Sequence, residues 1–192
     1  MFNCLIAGVG GQGTVLASKL IAAAAMNRGF DVRTTETIGM AQRGGSVISH
    51  IRIAKSLSEI SSPIIPVGKA DAIIAFEPSE AVRQLPFLSA GGHMIVCDTA
   101  IKPAGSFDGV PYEGKDMIDF LKDNIKNLVV VDGYEIMKQS AKALNVALLG
   151  AATESGIFPF DADAMREVLV ELMPERFIEL NNIAFELGRK IV

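Results

Sequence analysis

Cysteine and histidine are nearly absent: the 192 residues hold only Cys4, Cys97, His50 and His93. Two thiolates fall short of the four ligands an iron–sulfur cluster takes, and they make no disulfide framework. Both thiols fall in stretches that read as strands, so buried structural cysteines in a reducing compartment are expected. No His/Cys/Asp/Glu spacing suggests a metal site. There is no run of Lys or Arg, and with a net charge of −4 and a pI near 5.2 nothing points to nucleic acid or a membrane surface. No apolar run reaches the ~20 residues of a membrane span. The start lacks the positive region of a signal peptide, so a cytoplasmic protein is expected.

Hydrophobic residues, by contrast, are plentiful at 49%, with a mean hydropathy of +0.35. That is rich for a soluble monomer and hints at apolar surface committed to a partner. The length fits one domain over 1–192.

Short apolar runs at 2–7, 71–76, 92–97 and 128–131 read as buried strands. Residues 12–28 read as a helix with Leu16, Leu20 and Ala24 on one face, ended by Gly29. With a strand at 31–36 the opening becomes a βαβ unit. A strand at 46–53 alternates Val47, Ser49, Ile51 and Ile53 against Ser46, Ile48, His50 and Arg52, which predicts one face near solvent or a ligand. Residues 56–66 read as a loop, and Val110–Tyr112 as a short edge strand because of Pro111. Helices are expected after Glu77-Pro78-Ser79 to about Leu88, then at 117–126, 134–144, 146–154, 161–172 and 174–190. Asp161 suits an N-cap, and Pro174 a first turn. The sum is an α/β fold: a Rossmann-like, doubly wound, mostly parallel sheet with a helical C-terminal extension from about 146 to 192.

Gly8-Val9-Gly10-Gly11-Gln12-Gly13 follows a strand and opens a helix, the context of a phosphate-binding turn. Glycine lets the backbone approach a phosphate, and the helix start presents unpaired N–H groups. Glu36, 23 positions after Gly13, stands where a ribose-binding carboxylate would. The turn alone fits NAD or FAD, another phosphate-bearing ligand such as the pyrophosphate of coenzyme A, or no ligand at all. Gln12 is unusual in such a turn.

A second glycine-rich element, Gly39-Met40-Ala41-Gln42-Arg43-Gly44-Gly45-Ser46, follows the second strand. A plain dehydrogenase has no need of it. Gln42 offers a donor and an acceptor, and Arg43 is a permanently charged anion binder. Gly44 and Gly45 let the backbone approach a ligand or another subunit.

Together, Gly8–Gly13 and Gly39–Ser46, continuing Val47-Ile48-Ser49-His50-Ile51-Arg52, closely resemble the gamma-type domain of 2-oxoacid:ferredoxin oxidoreductases. The version here looks most like the beta subunit of the indolepyruvate type, and the likeness covers nearly the whole chain. The resemblance implies a subunit of a complex that oxidatively decarboxylates a 2-oxoacid on thiamine diphosphate, reduces ferredoxin through iron–sulfur clusters and releases an acyl-CoA. Thiamine diphosphate, its Mg and the clusters then belong to partner subunits. This chain, with no thiamine-type Gly-Asp-Gly…Asn motif, holds no cofactor firmly and is inactive alone. Its expected role is hetero-oligomer assembly plus a contribution to coenzyme A binding, through Gly8, Gly10, Gly11, Gln12, Gly13, Gly39, Met40, Gln42, Arg43, Gly44, Gly45 and Ser46. A homodimer of the isolated chain is also open. The alternatives are a stand-alone NAD- or FAD-binding oxidoreductase using Glu36, or a purely structural assembly domain.

The remaining polar residues have plainer readings. His50 fits a satisfied structural histidine, and His93 a loop residue. Glu77, Ser79 and Glu80 sit at a strand's C-terminal end, with Ser79 and Glu80 as cap and first turn of the next helix. Asp98 and Asp132 fit turn chemistry. Phe177, Leu180, Ile183, Ala184 and Leu187 give the last helix an apolar face.

Overall fold

A row of buried apolar strands forms the spine of the computed structural model, which describes residues 1–39, 45–101, 112–140 and 143–192, without the side chains of 139 and 140. The strands are β1 (Phe2–Val9), β2 (Asp31–Ile38), β3 (Ser46–Ala54), β4 (Ala70–Ala75), β5 (Leu88–Cys97) and β6 (Leu128–Val131). They join in one sheet of order β2-β3-β1-β4-β5-β6. The pairs β1–β4, β4–β5 and β5–β6 are parallel, whereas β3 runs antiparallel to both β1 and β2.

Helices cover both faces, as expected of a doubly wound sheet. The helices are α1 (Thr14–Asn27), α2 (Pro78–Gln84), α3 (Lys115–Asn124), α4 (Gly133–Ser140), α5 (Leu144–Glu154), α6 (Ala162–Leu172) and α7 (Glu175–Arg189). One core gathers Cys4, Ile6, Ile74 and Cys97 against α1 and α4 to α7. The other gathers Leu5, Ala7, Ile73 and Met94 against α2, α3 and Ile65. No helix among the described residues is long and apolar enough to cross a membrane.

Three expectations change. The opening βαβ unit is split: β1 and β2 are not neighbours, because β3 folds back between them. The polar face of β3 is buried: His50 Nδ1 accepts from the Ile65 N–H at 3.3 Å, and Arg52 donates to Asn3 Oδ1 at 2.9 Å and the Ser62 carbonyl at 2.7 Å. The segment after β3, including a short 3-10 turn at Leu57–Glu59, supplies Ser62 and Ile65, while Asn3 comes from the paired strand β1. Residues 134–144 are not one helix, since Ala143 lies outside helical geometry as the N-cap of α5, which starts at Leu144. Val110 and Pro111 of the expected edge strand lie outside the described residues.

The C-terminal helices form part of the main core. Every residue of α5 from Asn145 to Ala152 is buried, as an all-round apolar helix must be. Asp161 caps α6 by accepting from the Ala164 N–H at 2.9 Å, and Gly29 closes α1 in the left-handed region. Helices α5 and α7 touch backbone to backbone. A Cβ on Gly188 would stand 1.8 Å from the Ala147 carbonyl oxygen, and one on Gly150 would stand 2.1 Å from that of Phe185. Gly188→Ala should therefore lower unfolding free energy by about 1–3 kcal/mol or more through forced separation of the helices. Chemical denaturation checks this, with Gly91→Ala, which meets nothing within 4 Å, as the near-neutral control.

Candidate functional site

All the parallel strands end at one edge of the sheet, and β3 begins there, because Val9 pairs with Ser46 and Ala75 with Val96. From β1 the chain leaves toward α1 on one face. From β4 it leaves toward α2 on the other. The loops after these adjacent strands therefore part, opening a crevice where α/β sheets hold ligands.

The glycine-rich turn lines this crevice. Gly13 sits in the left-handed region with φ 85° and starts α1 without a side-chain cap. A Cβ there would come within 2.6 Å of the Asn145 amide. Gly11, with φ 102°, faces open space. Gly8 packs tightly, since a Cβ would meet Thr14 Cγ2 at 2.8 Å and Gln12 Oε1 at 2.9 Å. Among the described residues, nothing accepts from the N–H groups of Gly11, Gly13 or Thr14.

The two glycine-rich elements meet. The Gly10 N–H donates to the Gly45 carbonyl at 2.9 Å, and the Gly39 N–H to the Ser46 carbonyl at 2.9 Å. Ser46 Oγ donates to the buried Glu80 at 2.6 Å, tying β3 to α2. Met40, Gln42, Arg43 and Gly44 lie outside the described residues.

Gln12 has a structural occupation. Its Oε1 accepts from the Val9 N–H at 2.7 Å and its Nε2 donates to the Phe76 carbonyl at 2.8 Å, joining the ends of β1 and β4. That explains an amide in a turn where small or apolar residues are usual. Next to it, Glu77 is fully buried and caps α2 itself, accepting from the Glu80 N–H at 3.0 Å; Ser79, the residue expected as the cap, instead donates to Glu77 at 2.5 Å. Tyr112 Oη completes the arrangement by donating to Glu77 at 2.5 Å.

A cleft of about 390 Å³ opens beside this turn, lined by Gly11, Gln12, Phe76 and, from elsewhere in the chain, Thr99, Ile101 and Asn145. Asn145 is buried, with Oδ1 on the adjacent Val146 N–H at 2.9 Å. Sequence reasoning passed it over, although a lone amide in the apolar stretch 143–152 was a visible signal. Asp132 accepts from the Glu135 N–H at 3.0 Å, as turn chemistry requires, whereas Asp98 accepts from the Gly133 N–H at 2.9 Å and so ties the end of β5 to the start of α4. His93 lies within β5 rather than in a loop, paired with Ala72.

Glu36 does not reach the turn. It lies exposed on β2, paired with Ser49 of β3, two strand spacings or roughly 10 Å from β1. A ribose-binding carboxylate belongs on a strand adjacent to β1, so the intercalated β3 removes the geometry the dinucleotide reading needs.

Two outcomes follow. Gln12→Ala should cost the ligand-free chain about 1–3 kcal/mol, because two backbone groups lose their partner; thermal unfolding reads this directly. Burial and the hydrogen bond to Glu77 push the Tyr112 hydroxyl up to about 12 from the ordinary 10. The folded state then keeps a proton that the unfolded chain releases, so stability is full below pH 10 and falls between pH 10 and 12. In Tyr112→Phe that fall should be shallower than in the wild type, as seen in denaturation series across the window.

The comparisons agree with this architecture. The family model for pyruvate ferredoxin/flavodoxin oxidoreductase matches residues 3–191. The indolepyruvate oxidoreductase subunit IorB of Pyrococcus horikoshii is 34% identical over 98% of this chain and 95% of its own. That of Archaeoglobus fulgidus is 36% identical over 97% and 92%. Among solved structures, the gamma subunit of a keto/oxoacid ferredoxin oxidoreductase from Geobacter sulfurreducens superposes with a TM-score of 0.72 at 21% identity, covering 100% of this chain and 98% of that one. The 2-oxoglutarate:ferredoxin oxidoreductase from Magnetococcus marinus, solved with 2-oxoglutarate, coenzyme A and succinyl-CoA, superposes with a TM-score of 0.71 at 21% identity over 99% of this chain and 30% of that one. With a matched family model, a shared fold and full-length relatives, the chain belongs to the pyruvate ferredoxin/flavodoxin oxidoreductase family.

Proposed function

We propose that this chain is the assembly and coenzyme A-positioning subunit of a 2-oxoacid:ferredoxin oxidoreductase of the indolepyruvate type. The observation that carries it is the hydrogen bond from Gly10 to Gly45, which brings the two glycine-rich elements together at one sheet edge, beside a cleft and N–H groups without partners among the described residues. Relatives named for indolepyruvate oxidoreductase support the substrate class.

The chain's residues fit some of the implied groups and not others. Cys4 and Cys97 are fully buried on β1 and β5, with β4 between them. Among the described residues no group of three His, Cys, Asp or Glu could hold a metal ion. On this reading thiamine diphosphate with its Mg and the iron–sulfur clusters are carried by partner subunits. Coenzyme A fits better: the N–H groups of Gly11, Gly13 and Thr14 suit a phosphate at a helix start, and the Asn145 side chain stands beside them. Arg43 adds a guanidinium, worth about 1.5–3 kcal/mol in a charge-assisted bond. When bound, coenzyme A supplies the thiol that accepts the acyl group; this chain holds and orients its anionic end.

Co-expression with the thiamine- and cluster-bearing partner should yield an oxygen-sensitive complex that reduces viologen in the presence of an aryl pyruvate and coenzyme A. In that complex Arg43→Ala should raise the KM for coenzyme A about tenfold or more while kcat at saturation holds, as loss of such a bond requires. An unchanged KM with weakened association would make Arg43 an assembly residue. Tight NAD binding by the isolated chain would support the stand-alone reading instead.

A further inference from the structure

The two edges of the sheet differ in how they end. β6 is a four-residue strand. β2 is an eight-residue strand paired in unbroken register with β3 from Asp31 to Ile38, and among the described residues no strand lies on its outer side. Five of its residues, Arg33, Thr34, Glu36, Thr37 and Ile38, are exposed. It has no proline and no bulge, devices that ordinarily keep a free edge from pairing.

β2 is also self-complementary. A second copy pairing antiparallel across a two-fold axis normal to the sheet must set residues of equal parity opposite each other, because side chains alternate between faces. Four such registers use most of the strand. An axis at Arg33 puts two guanidiniums face to face, and an axis at Glu36 does the same with two carboxylates. An axis at Thr34 sets Glu36 against Val32. An axis at Thr35 puts Thr35 against Thr35, Arg33 against Thr37, Thr34 against Glu36, and Val32 against Ile38. That register alone matches apolar with apolar, avoids like charges and covers the exposed Ile38, whose relative exposure is 62%.

We propose that two copies of this chain join β2 to β2 in this register, forming one continuous sheet with Thr35 on the two-fold axis. Because the strands are antiparallel, the glycine-rich edges of the two copies point in opposite directions, which leaves each free for a catalytic partner.

Cysteine cross-linking of the full chain tests this. The native thiols are fully buried, so an introduced thiol on β2 reports alone. Thr35→Cys should form a disulfide-linked dimer on mild oxidation, while Thr37→Cys should not. A mixture of Arg33→Cys and Thr37→Cys chains should link to each other, and Thr35→Lys should halve the mass measured by light scattering. A wild-type chain that stays monomeric at high concentration overturns the proposal. So does a dimer in which Thr37→Cys links as readily as Thr35→Cys, or one whose mass Thr35→Lys leaves unchanged.

Discussion

The side-chain amide of Gln12 holds the site together. By accepting from Val9 and donating to the carbonyl of Phe76, it fixes the separation of the two strands whose following loops diverge. Everything at the edge is arranged around that bridge: Gly8 has room for nothing but hydrogen because Gln12 and Thr14 occupy the space, and Phe76 leads straight into the buried cap Glu77. A bridge of this kind is worth more than its two hydrogen bonds taken singly. Breaking it leaves one donor and one acceptor unpaired near the apolar core, where such groups are costly.

The antiparallel strand β3 is the second constraint. Inserted between β1 and β2, it carries the second glycine-rich element back to the first and moves Glu36 away from the turn. The same insertion turns a dinucleotide-like opening into something else. The helix start keeps donors without partners among the described residues, but the neighbouring strand brings Gly45 and Ser46 in place of a ribose-binding carboxylate.

Much of this was legible in the residues. The apolar runs marked β1, β4, β5 and β6, and the glycine spacing marked the strand–helix turn and the shared edge. The strand order was not legible, because a βαβ unit with adjacent strands and one split by a returning strand have the same local pattern. The polar face of β3 reads as open for a similar reason: the Ile65 N–H and the Ser62 carbonyl that meet His50 and Arg52 are backbone groups with no sequence signature, and Asn3 reaches Arg52 only through the pairing of β1 with β3. Gln12 looked like a ligand contact because its true partners lie on two strands brought together only by folding. The helical C-terminal extension was legible too, and the apolar run of α5 marks a helix with no solvent face.

The central claim is that the edge built from Gly8–Gly13 and Gly39–Ser46 receives an anionic group of coenzyme A. Amide hydrogen exchange on the assembled complex, with and without coenzyme A, tests it most directly. The account predicts slower exchange at Gly11, Gly13 and Thr14, the donors without partners among the described residues. Unchanged exchange across this turn, with protection confined to the partner subunit, would contradict it.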